Sequence, residues 1–391
     1  MLGKNGKIGG DTVKVYLDNA ASTKVKDCVL DKFVEVAKNT FGNPSSEHTE
    51  GYLADNCIEM VKENIAKKIH CNNDDIYFTS GATMSNQLLI QGFVAKHPNA
   101  MIITTNVEHN DILMCINNLL VFRHILEVDR SGIININELS KTLEYATEKM
   151  QVPTLVTIQM ANSETGIIQP IQEIVSVVKK YPNVFLHMDA TQYIPYYPIN
   201  MECWGIDSIS MSGQKIGGIK GSGLLVVCQE LRDNIKPIIY GEQGLIGGTP
   251  STPLIASLGV AFDEIDYNTS SLQSKRNMLI SYLLVMGAVL VGALNRRLPN
   301  NIYCRFPSVK GLNLMYLLDE YGISIGTGSA CSTDSDEPSH VAKAYGLTDE
   351  EALECVRFTL SDETTYEEIE YVVKILKTIL PLLIKEDKIC Q

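Results

Sequence analysis

The sequence predicts an α/β fold: a large domain on a mostly parallel seven-stranded sheet, followed by a smaller α+β domain. Three observations carry this. Short apolar, β-rich runs at 75–80, 100–105, 122–128, 154–160, 184–189, 206–211 and 223–228 alternate with stretches of helical period at 53–69, 84–96, 110–120, 136–149 and 170–181. Such alternation sets strands in parallel with helices on both faces. The pattern changes after about residue 255, and a Pro/Gly/Thr-rich segment at 241–254 marks the junction. With 391 residues there is length for two domains. Residues 1–24 are expected to pack with the small domain, 25–254 to form the large domain and 255–391 the small one.

Each strand of the large domain reads as buried on both faces: GLLVVC (223–228), for example, is a continuous apolar run. Beyond the junction come a long helical stretch, a strand at 302–306, helices at 311–320 and 338–346, a strand at 355–360 and a helix from 366. The run Tyr282–Leu294 is too short to span a bilayer and is flanked by Arg276, Arg296 and Arg297, so it is expected to be a buried helix. No strand is expected just before 297–301. In open α/β sheets ligands sit beyond the carboxyl ends of the strands, so the residues following each strand are where chemistry is sought.

Composition narrows the function. A formal net charge of −13 with no Lys/Arg-rich block disfavours nucleic acid. Ten cysteines without a Cys-x-x-Cys pair argue against a zinc ribbon, a thioredoxin-like redox site or a disulfide framework, and fit a reducing cytoplasmic setting. No metal site is expected. The opening MLGKNGKIGG lacks the apolar centre of a secretory signal and the arginines of a transit peptide, and its Gly and Lys content reads as a disordered leader or a cloning scar.

Lys215 stands in MSGQKIGGIKGSG (211–223), a small-residue loop between two buried strands. A partly desolvated lysine loses its proton more readily and becomes a nucleophile for an aldehyde cofactor. Asp189 ends the strand VFLHMD, with Gln192 three residues on. A carboxylate there keeps a pyridine nitrogen protonated, and an amide can bond a phenolic ring oxygen. Ser80-Gly81-Ala82-Thr83 follows the first strand and opens the next helix, where free N–H groups cradle phosphate. His109 follows another strand and can stack on a ring and shuttle protons. Arg357, inside a strand of the small domain, needs an anion: a substrate carboxylate held bidentately, or a buried Asp or Glu. Cys331 sits in GTGSACSTDSDEPSH (326–340), a small and polar stretch from which a thiolate can reach a site. A P-loop is excluded because Ile219 stands where the lysine after Gly218 is required.

Together, YLDNAAST (16–23), FGNPSSEH (41–48), FTSGAT (78–83), VEH (107–109), MDATQ (188–192), SGQK (212–215), GTGSACS (326–332), EPSHV (337–341) and VRFTLS (356–361) resemble a class V pyridoxal-phosphate enzyme. The resemblance is to cysteine desulfurases of the NifS/IscS type with the long cysteine loop, and to the divergent members called NifS-like in large DNA viruses. It implies fold type I, pyridoxal 5'-phosphate (PLP) as cofactor, L-cysteine as substrate, a homodimer and a sulfur-acceptor or scaffold protein. It implies that Lys215 bonds the cofactor, that Asp189 and Gln192 meet its ring and that His109 stacks on it as acid/base. Ala82, Thr83, Ser212, Gln214 and, from the second subunit, Thr249 would hold the phosphate. Arg357 and Ser163 would meet the substrate carboxylate, and Cys331 would take the sulfur as a persulfide. The supply of Fe–S clusters or thio-cofactors would follow.

Three positions depart from the family pattern. Gln214 replaces a histidine, Ser163 replaces the second asparagine of Asn-Asn-Glu, and Ile246-Gly247-Gly248-Thr249 replaces Arg-Ser-Gly-Thr. They keep two alternatives open: a lyase or aminotransferase on the same fold, or a partner-binding protein with weak or no turnover.

Overall fold

The computed structural model describes residues 7–8, 11–241, 244–328 and 337–387. The large domain is a seven-stranded sheet of β1 (Ile76–Thr79), β2 (Met101–Thr105), β3 (Phe122–Leu126), β4 (Thr154–Gln159), β5 (Val184–Asp189), β6 (Ser208–Ser212) and β7 (Gly223–Val227), in spatial order β1-β7-β6-β5-β4-β2-β3. β7 alone runs against its neighbours; the other four pairings are parallel. Each of the seven predicted segments forms one strand.

The strands are apolar on both sides because both sides are covered. Ile102, Leu155, Phe185 and Leu225 face one core, shared with Leu89 and Phe93, while their neighbours Ile103, Val156, Leu186 and Val226 face the other. Period-two alternation therefore feeds two separate helical layers. The helices are α1 (Asp27–Asn39), α2 (Thr49–Ile69), α3 (Ala82–Lys96), α4 (Asn110–Asn117), α5 (Ile136–Glu144) and α6 (Ile171–Val178). α3 and α4 cover the first core; α1, α2, α5 and α6 contribute to the second. Asn135 starts α5 by accepting from the Asn137 and Glu138 N–H groups, at 3.0 and 3.3 Å. The chain then runs on through a wider π-helical turn, Tyr145–Met150.

The small domain packs an antiparallel sheet of Val289–Leu290, Asn301–Arg305 and Cys355–Thr359 under the helices Ser270–Val285, Gly311–Asp319 and Tyr366–Asp387. Near the start of the chain, Val15–Leu17 pairs in parallel with Ile323–Ile325, and Val15 and Leu17 are buried in this same core. Of the leader, residues 7 and 8 pair with residues 11 and 12 in a ribbon of their own. Among the described residues no helix is long and apolar enough to cross a membrane.

One element differs from expectation. Tyr282–Leu294 is not a buried helix: the helix ends at Val285, Gly287 turns the chain at φ +90°, and Val289–Leu290 pairs with Cys304 and Arg305. Leu284 and Val285 are 49% and 86% exposed. Here apolar composition does not mean burial: Ala288 and Val291 are buried, while Val289 between them is 44% exposed. The same ribbon supplies the strand that was not expected before 297–301.

Candidate active site

The carboxyl ends of β1, β2, β4, β5 and β6, with the start of the reversed β7, lie along one edge of the sheet. Every candidate residue of the large domain except Thr249 follows one of these ends.

At β1 the chain turns through Gly81, whose φ of +146° side chains rarely adopt. Ala82 N–H donates to Ser212 Oγ at 2.8 Å, which ties the start of α3 to the end of β6. Gly223 is needed because a Cβ there would sit 2.5 Å from Gly81 Cα. The result is a small-residue cradle at the positive end of a 15-residue helix. The Thr83 side chain helps to hold the Asp111 pKa down.

Beside the cradle lie three acids. Asp189 is buried; its Oδ1 accepts the Thr191 N–H at 2.9 Å and its Oδ2 accepts from Asn86 Nδ2 at 3.1 Å. Burial first, then the nearby Asp111 charge, pushes its pKa up. Glu108 is fully buried, accepts from Thr105 Oγ1 and the Gln159 N–H, and is raised well above the usual carboxylate range by burial. Asp111 is the exception. Burial pushes it up, but bonds from His109, Thr83 and Asn86 outweigh that and leave it lowered. His109 Nδ1 lies 2.8 Å from Asp111 Oδ1, so the ring is anchored at one nitrogen.

Lys215 ends a tight 3₁₀ turn after β6, and its Nζ donates to Ala20 O at 2.7 Å and Ala21 O at 2.6 Å. Gln192 Nε2 donates to the same Ala20 O at 3.0 Å. The segment 18–23 thus lies across the site. It is pinned by Asn19 Nδ2 on Thr359 O at 2.8 Å and by Thr23 Oγ1 on Gln214 O at 2.9 Å. The side chain of Gln214 is half-buried.

From the small domain, Arg357 enters between the two cores. Its Nη2 pairs with Asp18 Oδ1 at 2.7 Å, its Nη1 donates to Ser163 O at 2.9 Å, and its buried Nε has no partner among the described residues. The acid partner expected for Arg357 is thus Asp18, although its side chain is partly exposed rather than buried. Gly326 lies so close over the pair that a Cβ would meet Asp18 Oδ1 at 2.7 Å. Arg357 and Ser163 line a cavity of ≈180 Å³ together with His109, Glu164, Ser339 and His340. Glu164 Oε2 accepts from Ser339 Oγ at 2.6 Å and Tyr303 Oη at 3.1 Å, and burial pushes its pKa up to about 7. Asn162 is a loop brace: its Oδ1 accepts the Glu164 and Thr165 N–H groups.

Two candidates stand apart. Thr249 is exposed and lines a separate ≈550 Å³ cavity with Ser80 and Met84, on the outer side of the cradle. Cys331 lies outside the described residues. Asp18, Ala20, Asn86 and Glu164 received no role from the sequence. Asp18 and Ala20 lie in YLDNAAST, which was the available signal.

The aminotransferase class-V family model matches residues 15–372. The chain belongs to this family, whose members work with PLP. It is 36% identical over 384 residues to a cysteine desulfurase IscS of Dictyoglomus turgidum, covering 95% of each chain. Among solved structures it is similar to a NifS-like protein (TM-score 0.86, 30% identity, covering 95% of this chain and 100% of that one). It is also similar to SspA in complex with cysteine (TM-score 0.78, 30% identity, covering 89% and 99%).

Proposed function

We propose that this chain is a PLP-dependent cysteine desulfurase that converts L-cysteine to L-alanine and passes the sulfur to Cys331 as a persulfide. The observation that carries the reading is the meeting of Lys215, Asp189, His109 and Arg357, from four separate segments, along one edge of the sheet. Three features of the site fit the cofactor. A buried carboxylate at Asp189 calls for a proton-bearing ring nitrogen, the Gly81–Thr83 cradle suits a phosphate, and Arg357, lining one cavity with His109 and Ser163, suits a substrate carboxylate.

Bound PLP supplies an electron sink that makes the carbon framework of an attached amino acid reactive. The protein's residues do the rest. Lys215 would hold the cofactor covalently and would serve as a base beside the substrate. Asp189 would keep the ring nitrogen protonated, Gln192 would meet the ring oxygen, and His109, steadied by Asp111, would stack on the ring and move a proton. Ala82, Thr83, Ser212 and Gln214 would hold the phosphate, and Thr249 of a second copy would reach it in a homodimer. Arg357 and Ser163 fix the cysteine carboxylate. The Cys331 thiolate attacks the substrate sulfur: the S–S bond forms as C–S breaks, the bonding pair stays with carbon, and protonation of that carbon yields alanine. The persulfide would then serve a sulfur-acceptor or scaffold protein in Fe–S cluster or thio-cofactor supply in the cytoplasm. Residues 25–254 act as the cofactor domain and 255–391 as the small domain, with the segment 1–24 packing against the latter.

PLP-loaded protein incubated with L-cysteine should release alanine and carry a protein persulfide, and Cys331→Ser should do neither. Loaded protein that forms no alanine would refute the desulfurase reading. Undiminished turnover in Cys331→Ser would favour a lyase or aminotransferase.

A further inference from the structure

Behind Asp189 lies a hydrogen-bonded network that the roles above do not use. Asn86, in the second turn of α3, is fully buried. Its Nδ2 donates to Asp189 Oδ2 at 3.1 Å and to Asp111 Oδ2 at 3.3 Å. Its Oδ1 accepts from Ser210 Oγ at 2.5 Å and lies 3.1 Å from His187 Nε2. On the far side of that ring, His187 Nδ1 lies 3.0 Å from Ser208 Oγ. Its four partners come from α4, β5 and β6, so one amide on α3 joins four elements.

Chemistry fixes every orientation. Ionised carboxylates only accept, so the amide NH₂ must face Asp189 and Asp111, and its oxygen must face Ser210 and His187. His187 therefore carries its proton on Nε2, and its Nδ1 accepts the Ser208 hydroxyl. Burial pushes His187 down to about 3, so the ring stays neutral. The donors from Ser208 through His187 to Asn86 all point toward the two acids, and hydrogen bonds aligned this way polarise one another. Without this amide, two buried like charges would face each other, and one would take up a proton.

We propose that Asn86, oriented by His187 and Ser210, is a positioning residue that keeps Asp189 and Asp111 both ionised and aimed. One side chain would then set the partner of the cofactor's ring nitrogen and the partner of His109 together. The inference rests on the PLP reading, and its test separates the two.

Wild-type apoprotein is titrated with PLP, following both affinity and the visible absorbance of the protonated-ring form. Loss of a hydrogen bond to a buried charge should make Asn86→Leu bind PLP about 10- to 100-fold more weakly, with a smaller share of the visible form. His187→Gln, which can still donate to Asn86 Oδ1, should restore most of the affinity that His187→Leu loses. Ser210→Ala removes one neutral donor and should weaken binding about 3- to 10-fold, which keeps the test open if Asn86→Leu does not fold. Wild-type affinity and spectrum in Asn86→Leu, or in Ser210→Ala, would overturn the proposal. Wild-type protein that binds no PLP at all would instead overturn the reading beneath it.

Discussion

Replacing Glu164 by glutamine should stabilise the protein at pH 8 relative to pH 5. The folded chain holds the Glu164 proton up to about pH 7, chiefly because the carboxyl is buried; Ser339, Arg357 and Tyr303 offset only part of that. An unfolded glutamate releases its proton near 4.5. Between these values the folded state binds more protons than the unfolded state, so stability falls as pH rises. Above pH 7 the accumulated loss is about 3 kcal/mol. Glutamine cannot ionise, and its carbonyl can accept the Ser339 and Tyr303 hydroxyls, so Glu164→Gln lacks that slope. Any fixed effect of the new NH₂ group is the same at both pH values and cancels in the comparison. For a chain of 391 residues an unfolding entropy of about 0.8 kcal/mol per kelvin converts 3 kcal/mol to about 4 °C. Roughly 0.8 kcal/mol of the loss has accrued by pH 5, so calorimetric Tm values of apoprotein and variant, measured at pH 5 and pH 8, should show the variant gaining about 3 °C on wild type between the two. An equal difference at both pH values would refute the argument that Glu164 is protonated in the folded state.

The remaining predictions concern the cofactor and the substrate. After borohydride reduction, mass spectrometry of the PLP-loaded protein should find the cofactor attached to the peptide containing Lys215, and Lys215→Ala should show none. Arg357→Lys loses the planar fork shared by Asp18 and the Ser163 carbonyl. The KM for L-cysteine should rise about 10- to 100-fold, with a smaller change in kcat, in steady-state alanine release. Gly81→Ala forces a side chain into a backbone with φ +146° and places its Cβ 3.2 Å from Ser212 Oγ. Strain of about 1–3 kcal/mol should lower PLP affinity on equilibrium dialysis, and an unchanged Kd would show that the cradle does not hold the phosphate.

Much of this architecture was legible in the chain itself. Strands covered on both faces are nearly continuous apolar runs, so β5 and β7 could be read directly, and chemistry in such a sheet follows strand ends. That rule places Lys215, Asp189 and His109 at one edge before any coordinate is seen. Tyr282–Leu294 was misread because composition counts apolar residues without saying which of them find a neighbour.

The sequence by itself determined the order of the elements, the two-sided burial of the central strands and the residues that follow their ends, because these depend on local periodicity. Only the tertiary structure decided who partners whom. Asp18 reaches Arg357 across 339 residues, and Ala20 receives Lys215 across 195. Asn86 bridges Asp111 and Asp189, which are 25 and 103 residues away. The orientation of a buried polar group is set by the nearest donor or acceptor in space, and no local pattern in the chain encodes that neighbour.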